Sequence, residues 1–221
     1  MKYLPIILII SILFVTSCAI TGGTVAEDAC SEFEAFAKDN CYVEKLQCSK
    51  VENKKVRNAC VADLANAKKD IAVCNLITDL QTKSFCQYQI ATETNDKEIC
   101  KIIEERYWVN NCYYSIATKN DKEVYCSLIN NLEQKSKCFK TVAISVSNPL
   151  LCEFLEPKEM NKCIYKIAQN EKDIGICDHV TTTLGRNACR LKIAKISEDK
   201  QLCENITIKA VKDLCYEHFS E

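Results

Sequence analysis

The stretches DIAVCNLITDLQTKSFCQYQIA, residues 70–91, and DKEICKIIEERYWVNNCYYSIA, residues 96–117, show the pattern of the whole chain. In both, eleven residues separate two cysteines, and equivalent cysteines lie 26 residues apart. This spacing continues, within one residue, from Cys48 to Cys215, and such a fixed period indicates a repeat protein. We number the repeats as hairpins 1 to 8 by their cysteine pairs, the first of which is irregular: Cys30/Cys41, Cys48/Cys60, Cys74/Cys86, Cys100/Cys112, Cys126/Cys138, Cys152/Cys163, Cys177/Cys189 and Cys203/Cys215.

Each repeat has apolar spacing typical of two helices. An aliphatic residue and an alanine follow the second cysteine at helical spacing, as in Ile90-Ala91, which places them on one face of a helix B. An apolar residue such as Ile77 stands three positions after the first cysteine, which indicates a helix A. We therefore predict an all-α fold, an α-solenoid of short disulfide-bridged helical hairpins with a 26-residue repeat. Helix A should have about eight to ten residues and helix B about twelve.

Helix-capping residues precede the first cysteines. An Asp or Asn side chain four positions earlier can accept hydrogen bonds from free backbone N–H groups at a helix start. Pro149 directly after Asn148 strengthens this interpretation. We predict N-caps at Asp70, Asp96, Asn148, Asp173 and Asp199, and at Asp121, which stands one position earlier in its repeat.

Two disulfide schemes compete, one within each hairpin and one across the junction to the next. Cys74 and Cys86 each lie about five residues from the turn near residues 78–81, so they stand at the same height along their helices. Across the junction, Cys86 and Cys100 differ by around 4 to 5 Å, which is awkward for a bond that needs Cα atoms about 5.5 Å apart. Pairing within hairpins also uses all sixteen repeat cysteines. We predict the eight pairs given above, each stabilising the fold by about 3 kcal/mol in the chain-entropy model.

The first junction departs from the repeat. Only six residues separate Cys41 from Cys48, which puts both on one face of a helix. We predict one continuous helix from Cys41 to about Val51, with the usual junction deleted.

The N-terminus has the layout of a secretory signal. Lys2 precedes an apolar run from Leu4 to Val15 that is too short to span a bilayer. The motif Val15-Thr16-Ser17-Cys18 resembles the lipobox of prokaryotic lipoproteins, which implies cleavage before Cys18 and a lipid on its thiol. Lipidation of Cys18 also leaves an even number of cysteines to pair. The alternative is an ordinary signal peptide that is discarded together with Cys18.

These observations predict three segments and a location. They are a lipoprotein signal peptide over 1–17, a flexible tether over 18–28 and a cysteine-rich α-hairpin repeat domain over 29–221. The protein would be exported to an oxidising compartment and held by the lipid on Cys18, either on the outer face of a prokaryotic cell membrane or on an outer membrane.

Charge and motif content exclude several classes of function. Residues 18–221 carry 28 basic and 30 acidic side chains, interspersed along the chain, so we expect no nucleic-acid partner. No Cys-x-x-Cys, His-Glu-x-x-His or glycine-rich loop is present, so we expect no metal, no cofactor and no enzymatic activity. His179 and Asn205 occupy a position that is apolar in earlier repeats, which favours a C-terminal cap over a histidine ligand.

Two sets of side chains are candidates for binding. The repeat over 100–126 concentrates the aromatic residues Tyr107, Trp108, Tyr113 and Tyr114, which are typical both of binding hot spots and of hairpin cores. A basic residue three positions before the second cysteine could form a stripe for an anionic partner or pair with neighbouring carboxylates. This set comprises Arg57, Lys83, Lys135, Arg186 and Lys212.

The general plan is similar to that of secreted, disulfide-bridged helical-hairpin repeat proteins related to the tetratricopeptide class. That resemblance implies an extended binding surface but assigns no residue. We predict a non-enzymatic binding or scaffold module for a protein or surface polymer, with the oligomeric state open. One alternative is an exported enzyme or enzyme inhibitor with a site near the aromatic unit 100–126. Another is a structural envelope spacer.

Overall fold

The computed structural model describes residues 28–220, and all regular elements in that range are helices. Each helix B packs against the helix A of its own hairpin, the helix A of the next hairpin and the next helix B, with the contacts of hairpin 1 confined to hairpin 2. This arrangement confirms the predicted all-α solenoid of repeated disulfide-bridged hairpins. The predicted signal peptide over 1–17, the lipidation site Cys18 and nearly all of the predicted tether lie outside the described residues.

The helices alternate along the chain. Helix B of hairpins 1 to 8 is an α-helix over Ala35–Glu44, Lys54–Lys68, Leu80–Thr94, Arg106–Asn120, Leu132–Ser145, Pro157–Glu171, Thr183–Ser197 and Lys209–His218. Helix A is an α-helix over Ile71–Cys74 and Lys97–Ile102 in hairpins 3 and 4. It is a 3₁₀-helix over Cys48–Lys50, Glu123–Leu128, Pro149–Phe154, Ile174–His179 and Lys200–Asn205 in hairpins 2 and 5 to 8.

The predicted helix lengths are wrong in both directions. Helix A has three to six residues, and helix B has 14 or 15 in hairpins 2 to 7. The apolar residue three positions after the first cysteine is predicted to belong to helix A, but it lies at the end of that helix or, as Ile77 does, beyond it. Ile103, for example, has extended backbone with ψ 126 and is 5% exposed. An extended residue can fill the core as well as a helical one, so apolar spacing alone does not distinguish them.

Five of the six predicted N-caps are confirmed. Asp70, Asp96, Asn148, Asp173 and Asp199 each accept a hydrogen bond from the backbone N–H two residues later. Asp121 is not an N-cap. It ends helix B of hairpin 4 in the left-handed region, with φ 54, as Asn95 does one repeat earlier with φ 58. Aspartate and asparagine tolerate both kinds of cap, and the N-cap position here is held by Lys122, whose side chain makes no cap.

The predicted continuous helix from Cys41 to Val51 is also wrong. Helix B of hairpin 1 ends at Glu44, Leu46 adopts a left-handed φ of 54, and a new 3₁₀-helix begins at Cys48. The chain must still reverse to set helix A beside helix B. This junction has fewer residues than the others, so helix B of hairpin 1 ends soon after Cys41 and the turn is kept.

Eight disulfides staple the solenoid from within, each joining the two cysteines of one hairpin. Their Cα–Cα distances are 5.5 to 5.8 Å, and no bridge crosses a junction between hairpins in the described range. The bonded pairs are those that the spacing predicts: Cys30–Cys41, Cys48–Cys60, Cys74–Cys86, Cys100–Cys112, Cys126–Cys138, Cys152–Cys163, Cys177–Cys189 and Cys203–Cys215. Eight disulfides indicate an oxidising environment.

The bridges lie inside the stack of hairpins. The second cysteine of each pair stands on helix B, and Cys60, Cys112 and Cys163 are at most 1% exposed there. Every other bridged cysteine except the half-buried Cys41 is at most 4% exposed. The alanine after the aliphatic residue of helix B, such as Ala91, is fully buried, which lets neighbouring helices approach closely. The sulfur atoms are therefore part of the core that successive hairpins share.

A polar contact that the sequence analysis missed joins successive hairpins. Two positions before the second cysteine, an asparagine accepts a hydrogen bond from a backbone N–H in the turn of the next hairpin. Asn110 accepts from Asn130 at 2.9 Å and Asn187 accepts from Thr207 at 2.6 Å. Asp39 does the same in hairpin 1, accepting from Glu52 at 2.8 Å. The signal was present in the sequence, since this position holds Asp39, Asn58, Ser84, Asn110, Ser136, Asn161, Asn187 and Asp213.

Candidate functional site: the aromatic cluster and the helix A face

An aromatic cluster lies between helix B of hairpin 3 and helix B of hairpin 4. Trp108, in the first turn of the second of these helices, packs on Phe85 and Tyr88 of the first, with ring centroids 4.7 and 5.1 Å apart. Tyr107 meets the edge of Trp108 at 4.8 Å. Phe85 and Tyr88 belong to the preceding repeat and were not among the predicted site residues.

The cluster offers two exposed rings, Tyr107 and, to a smaller extent, Phe85 at 36%. Tyr107 is 61% exposed, whereas Trp108 is half-buried and its buried Nε1 has no hydrogen-bond partner. The Tyr88 hydroxyl lies 3.2 Å from Ser115 Oγ on the neighbouring helix. These contacts make the cluster mainly a packing element, with Tyr107 and part of Phe85 as its accessible surface.

The other two predicted aromatic residues lie elsewhere. Tyr113 is 7% exposed and faces the core, and burial raises the pKa of its hydroxyl. Tyr114 is half-buried against hairpin 5, with Lys137 Nζ 5.6 Å from its ring and its hydroxyl 3.5 Å from Thr141 Oγ1. Successive positions on a helix point about 100° apart, so residues adjacent in sequence need not share a face.

Polar groups beside Tyr107 are largely engaged in holding hairpins together. Asn131 caps helix B of hairpin 5 by accepting from the Gln134 N–H at 2.9 Å. The Gln134 side chain in turn donates to Asn111 Oδ1 at 2.9 Å. Asn131 and Gln134 line a shallow surface depression between hairpins 4 and 5, in which Tyr107 is the accessible aromatic ring and Arg106 lies at the edge.

Four of the five residues in the predicted basic stripe make internal contacts. Arg57 and Arg186 donate to the carbonyl oxygens of Val51 and Val180, at 3.0 and 2.9 Å, where helix A turns into helix B. The remaining contacts are ion pairs of Lys83 with Glu104 and of Lys212 with Glu204, both at 2.8 Å. This favours the interpretation in which these basic residues satisfy nearby carbonyls and carboxylates.

Glu159, on helix B of hairpin 6, is a strongly perturbed carboxylate. Lys162 and Lys140 contact Glu159 at 2.6 and 2.9 Å and lower its pKa from an ordinary value of 4.5 to about 2. Because the folded state binds this proton more weakly than the unfolded state, the contribution to stability is present above about pH 4.5 and is lost as the pH falls towards 2. Glu159→Gln should therefore show less acid destabilisation over that window than the wild type. Titration of the Glu159 carboxyl by NMR measures its pKa directly, and an ordinary pKa at Glu159 would contradict this prediction.

The two residues after each first cysteine form an exposed face, which we call the helix A face. Its second position holds Leu76, Ile102, Leu128 and Phe154 in hairpins 3 to 6, and His179 and Asn205 in hairpins 7 and 8. All six are solvent-exposed, although Phe154 also stacks on Phe139 of the preceding hairpin. The polar residues at its end therefore do not replace a buried stripe, as the cap interpretation assumed.

Within residues 28–220, no three His, Cys, Asp or Glu side chains gather closely enough to hold a metal ion. None of the helices in this range is both long and apolar enough to cross a membrane. Comparison with protein-family models, with curated proteins and with solved structures gives no match.

Proposed function

We propose that this protein is a lipid-anchored extracytoplasmic repeat protein that acts as a non-enzymatic scaffold or binding module. The supporting observation is the use of its cysteines. Every cysteine between residues 28 and 220 is in a disulfide, so the described domain leaves no thiol with which Cys18 could pair. Cys18 is therefore available for the lipid that its lipobox-like motif implies.

The scaffold function rests on the repeat. Bridged hairpins at a constant period present equivalent side chains at regular intervals, which suits an extended protein or surface-polymer partner. The helix A face and Tyr107 are the surfaces that such a partner would contact. The half-burial of Trp108 and Tyr114 weighs against an enzyme or inhibitor site around the aromatic unit, because such a site would need both rings exposed beside a groove.

Replacing Cys18 by serine tests the anchor. Cys18→Ser should abolish incorporation of labelled fatty acid and move the protein from the membrane fraction to the soluble fraction, because serine has no thiol to alkylate. Ser17→Ala keeps a small residue before the cleavage site and should leave labelling unchanged. Lipid labelling that survives in Cys18→Ser would contradict the proposal.

Intact-mass analysis without reduction complements this test. A lipid adduct on an N-terminal Cys18 together with eight intact disulfides is the expected result. An unmodified chain beginning beyond Cys18 would instead indicate an ordinary signal peptide.

A further inference from the structure

The helix A face is an exposed apolar ladder. Leu76, Ile102, Leu128 and Phe154 are 68%, 53%, 45% and 62% exposed, one in each of four successive hairpins. Phe154 stacks on the buried Phe139 of the preceding hairpin, with ring centroids 4.4 Å apart, so one side of its ring packs against the core. A row of exposed apolar side chains of this kind marks an interaction site.

Charge on the same face changes sign along the chain. Lys50 occupies the ladder position in hairpin 2, and Lys101 stands beside Ile102 in hairpin 4. The residue directly after the first cysteine is acidic in the last three hairpins, as Glu153, Asp178 and Glu204. The face is thus basic towards its N-terminal end, apolar in the middle and acidic towards its C-terminal end.

We propose that two copies of this chain associate through the helix A face as an antiparallel dimer, with the two-fold axis at hairpin 5. A two-fold interface uses the same surface on both copies. Leu128 then meets Leu128, hairpin 4 faces hairpin 6 and hairpin 2 faces hairpin 8. Ile102 meets Phe154 and Lys101 meets Glu153. A parallel arrangement would set Lys101 against Lys101 and Glu153 against Glu153, so like-charge repulsion favours the antiparallel arrangement.

Lys50, Asp178 and Glu204 already pair within the chain, with Asp28, Arg190 and Lys212. The charges left to pair between copies are therefore Lys101 and Glu153, next to the proposed axis. Lys101 contacts Glu98 one helical turn away at 2.6 Å, and both side chains are more than half exposed, so little energy is lost when that pair opens. Among residues 28–220, Glu153 makes no ion pair within the chain.

A second copy fits this face better than a lipid surface does. A copy carries the same repeat spacing, so the positions on either side of the axis can meet their counterparts, Ile102 with Phe154 and Lys101 with Glu153. An anionic bilayer would be repelled by the acidic residues of hairpins 6 to 8. Dimer formation does not require the lipid on Cys18, so this inference and the proposed function can fail separately.

The first test uses the non-lipidated Cys18→Ser chain with its disulfides formed, in sedimentation velocity at micromolar concentrations. The expected result is a dimer. Leu128→Asp places two carboxylates together at the axis and should raise the dissociation constant at least about tenfold. Leu132→Asp is the matched control, because Leu132 is 78% exposed on helix B of the same hairpin, outside the helix A face. It should leave the dimer intact.

Charge exchange tests the antiparallel register. Lys101→Glu and Glu153→Lys should each weaken the dimer. Residue 101 of each copy faces residue 153 of the other, so either change places like charges opposite each other at both contacts. Mixing the two variants should restore dimers, because the opposite charges then face each other at both places, and the doubly exchanged chain should also dimerise.

A monomeric wild type, a dimer insensitive to Leu128→Asp, or a mixture no tighter than the single variants would overturn the proposal. Co-sedimentation of a monomeric wild type with phosphatidylglycerol vesicles would overturn it too, in favour of a lipid-binding face.

Discussion

Replacing Cys126 and Cys138 together by alanine is expected to lower the free energy of unfolding by about 3 kcal/mol or more. The bridge closes a loop of sequence separation 12, so its removal returns chain entropy to the unfolded state. Both cysteines are fully buried at the centre of the solenoid, so alanine also leaves unfilled space in the core. Urea denaturation without reductant, followed by circular dichroism, measures the loss.

The Cys30→Ala/Cys41→Ala variant is the control for this experiment. It opens a loop of nearly the same length, but at the end of the solenoid, where Cys41 is only half-buried and the core cluster is small. Because each repeat contacts only its neighbours, the main unfolding transition should shift much less. Equal losses for the central and terminal variants would mean that the solenoid unfolds as one unit irrespective of position.

Asn187→Ala is expected to cost roughly 2 to 4 kcal/mol and to loosen hairpin 8. Asn187 is 1% exposed and accepts from the N–H groups of Thr207 and Ile208 at 2.6 and 3.2 Å. Its amide donates to the Thr183 carbonyl at 2.8 Å. Alanine removes the acceptor of both N–H groups in a part-buried turn, and leaving such groups unpaired is costly.

Hydrogen exchange of the amides in residues 206–218 locates the effect. Asn205→Ala is the matched control, since Asn205 is an exposed asparagine of hairpin 8 itself, and its replacement should change the exchange rates little. Asn187→Asp should recover part of the loss, because a carboxylate can accept both N–H groups, as Asp39 does at the equivalent position with Glu52 and Asn53. If all three variants exchange alike, the junction contact does not hold the last hairpin.

The cysteine spacing made the architecture predictable because a disulfide imposes a short distance. Two cysteines eleven or twelve positions apart, at equal height on antiparallel helices, can bond with little strain, so the sequence specifies both the hairpin and its closure. The N-caps at Asp70 and Asp199 were predictable for a similar reason, since their hydrogen bonds reach only two residues along the chain.

Helix boundaries and surface assignments required the tertiary structure. Ile103 reaches the core whether it is helical or extended, so its apolar character could not show that helix A ends there. Asp121 could cap either of two helices, and the turn geometry assigned it to the first. The aromatic side chains of hairpin 4 divide among three surroundings, because the neighbours that cover each one come from other repeats.

By itself, the sequence determined the repeat, the pairing of its cysteines and five of the six predicted caps, since each depends on contacts within one hairpin or one turn. Only the tertiary structure decided which apolar residues the stacked hairpins cover. Leu76 and Ile77 are adjacent and equally apolar, yet one is 68% exposed and the other 4%, because the next helix packs against only one side of the turn. That difference between neighbouring residues defines the helix A face.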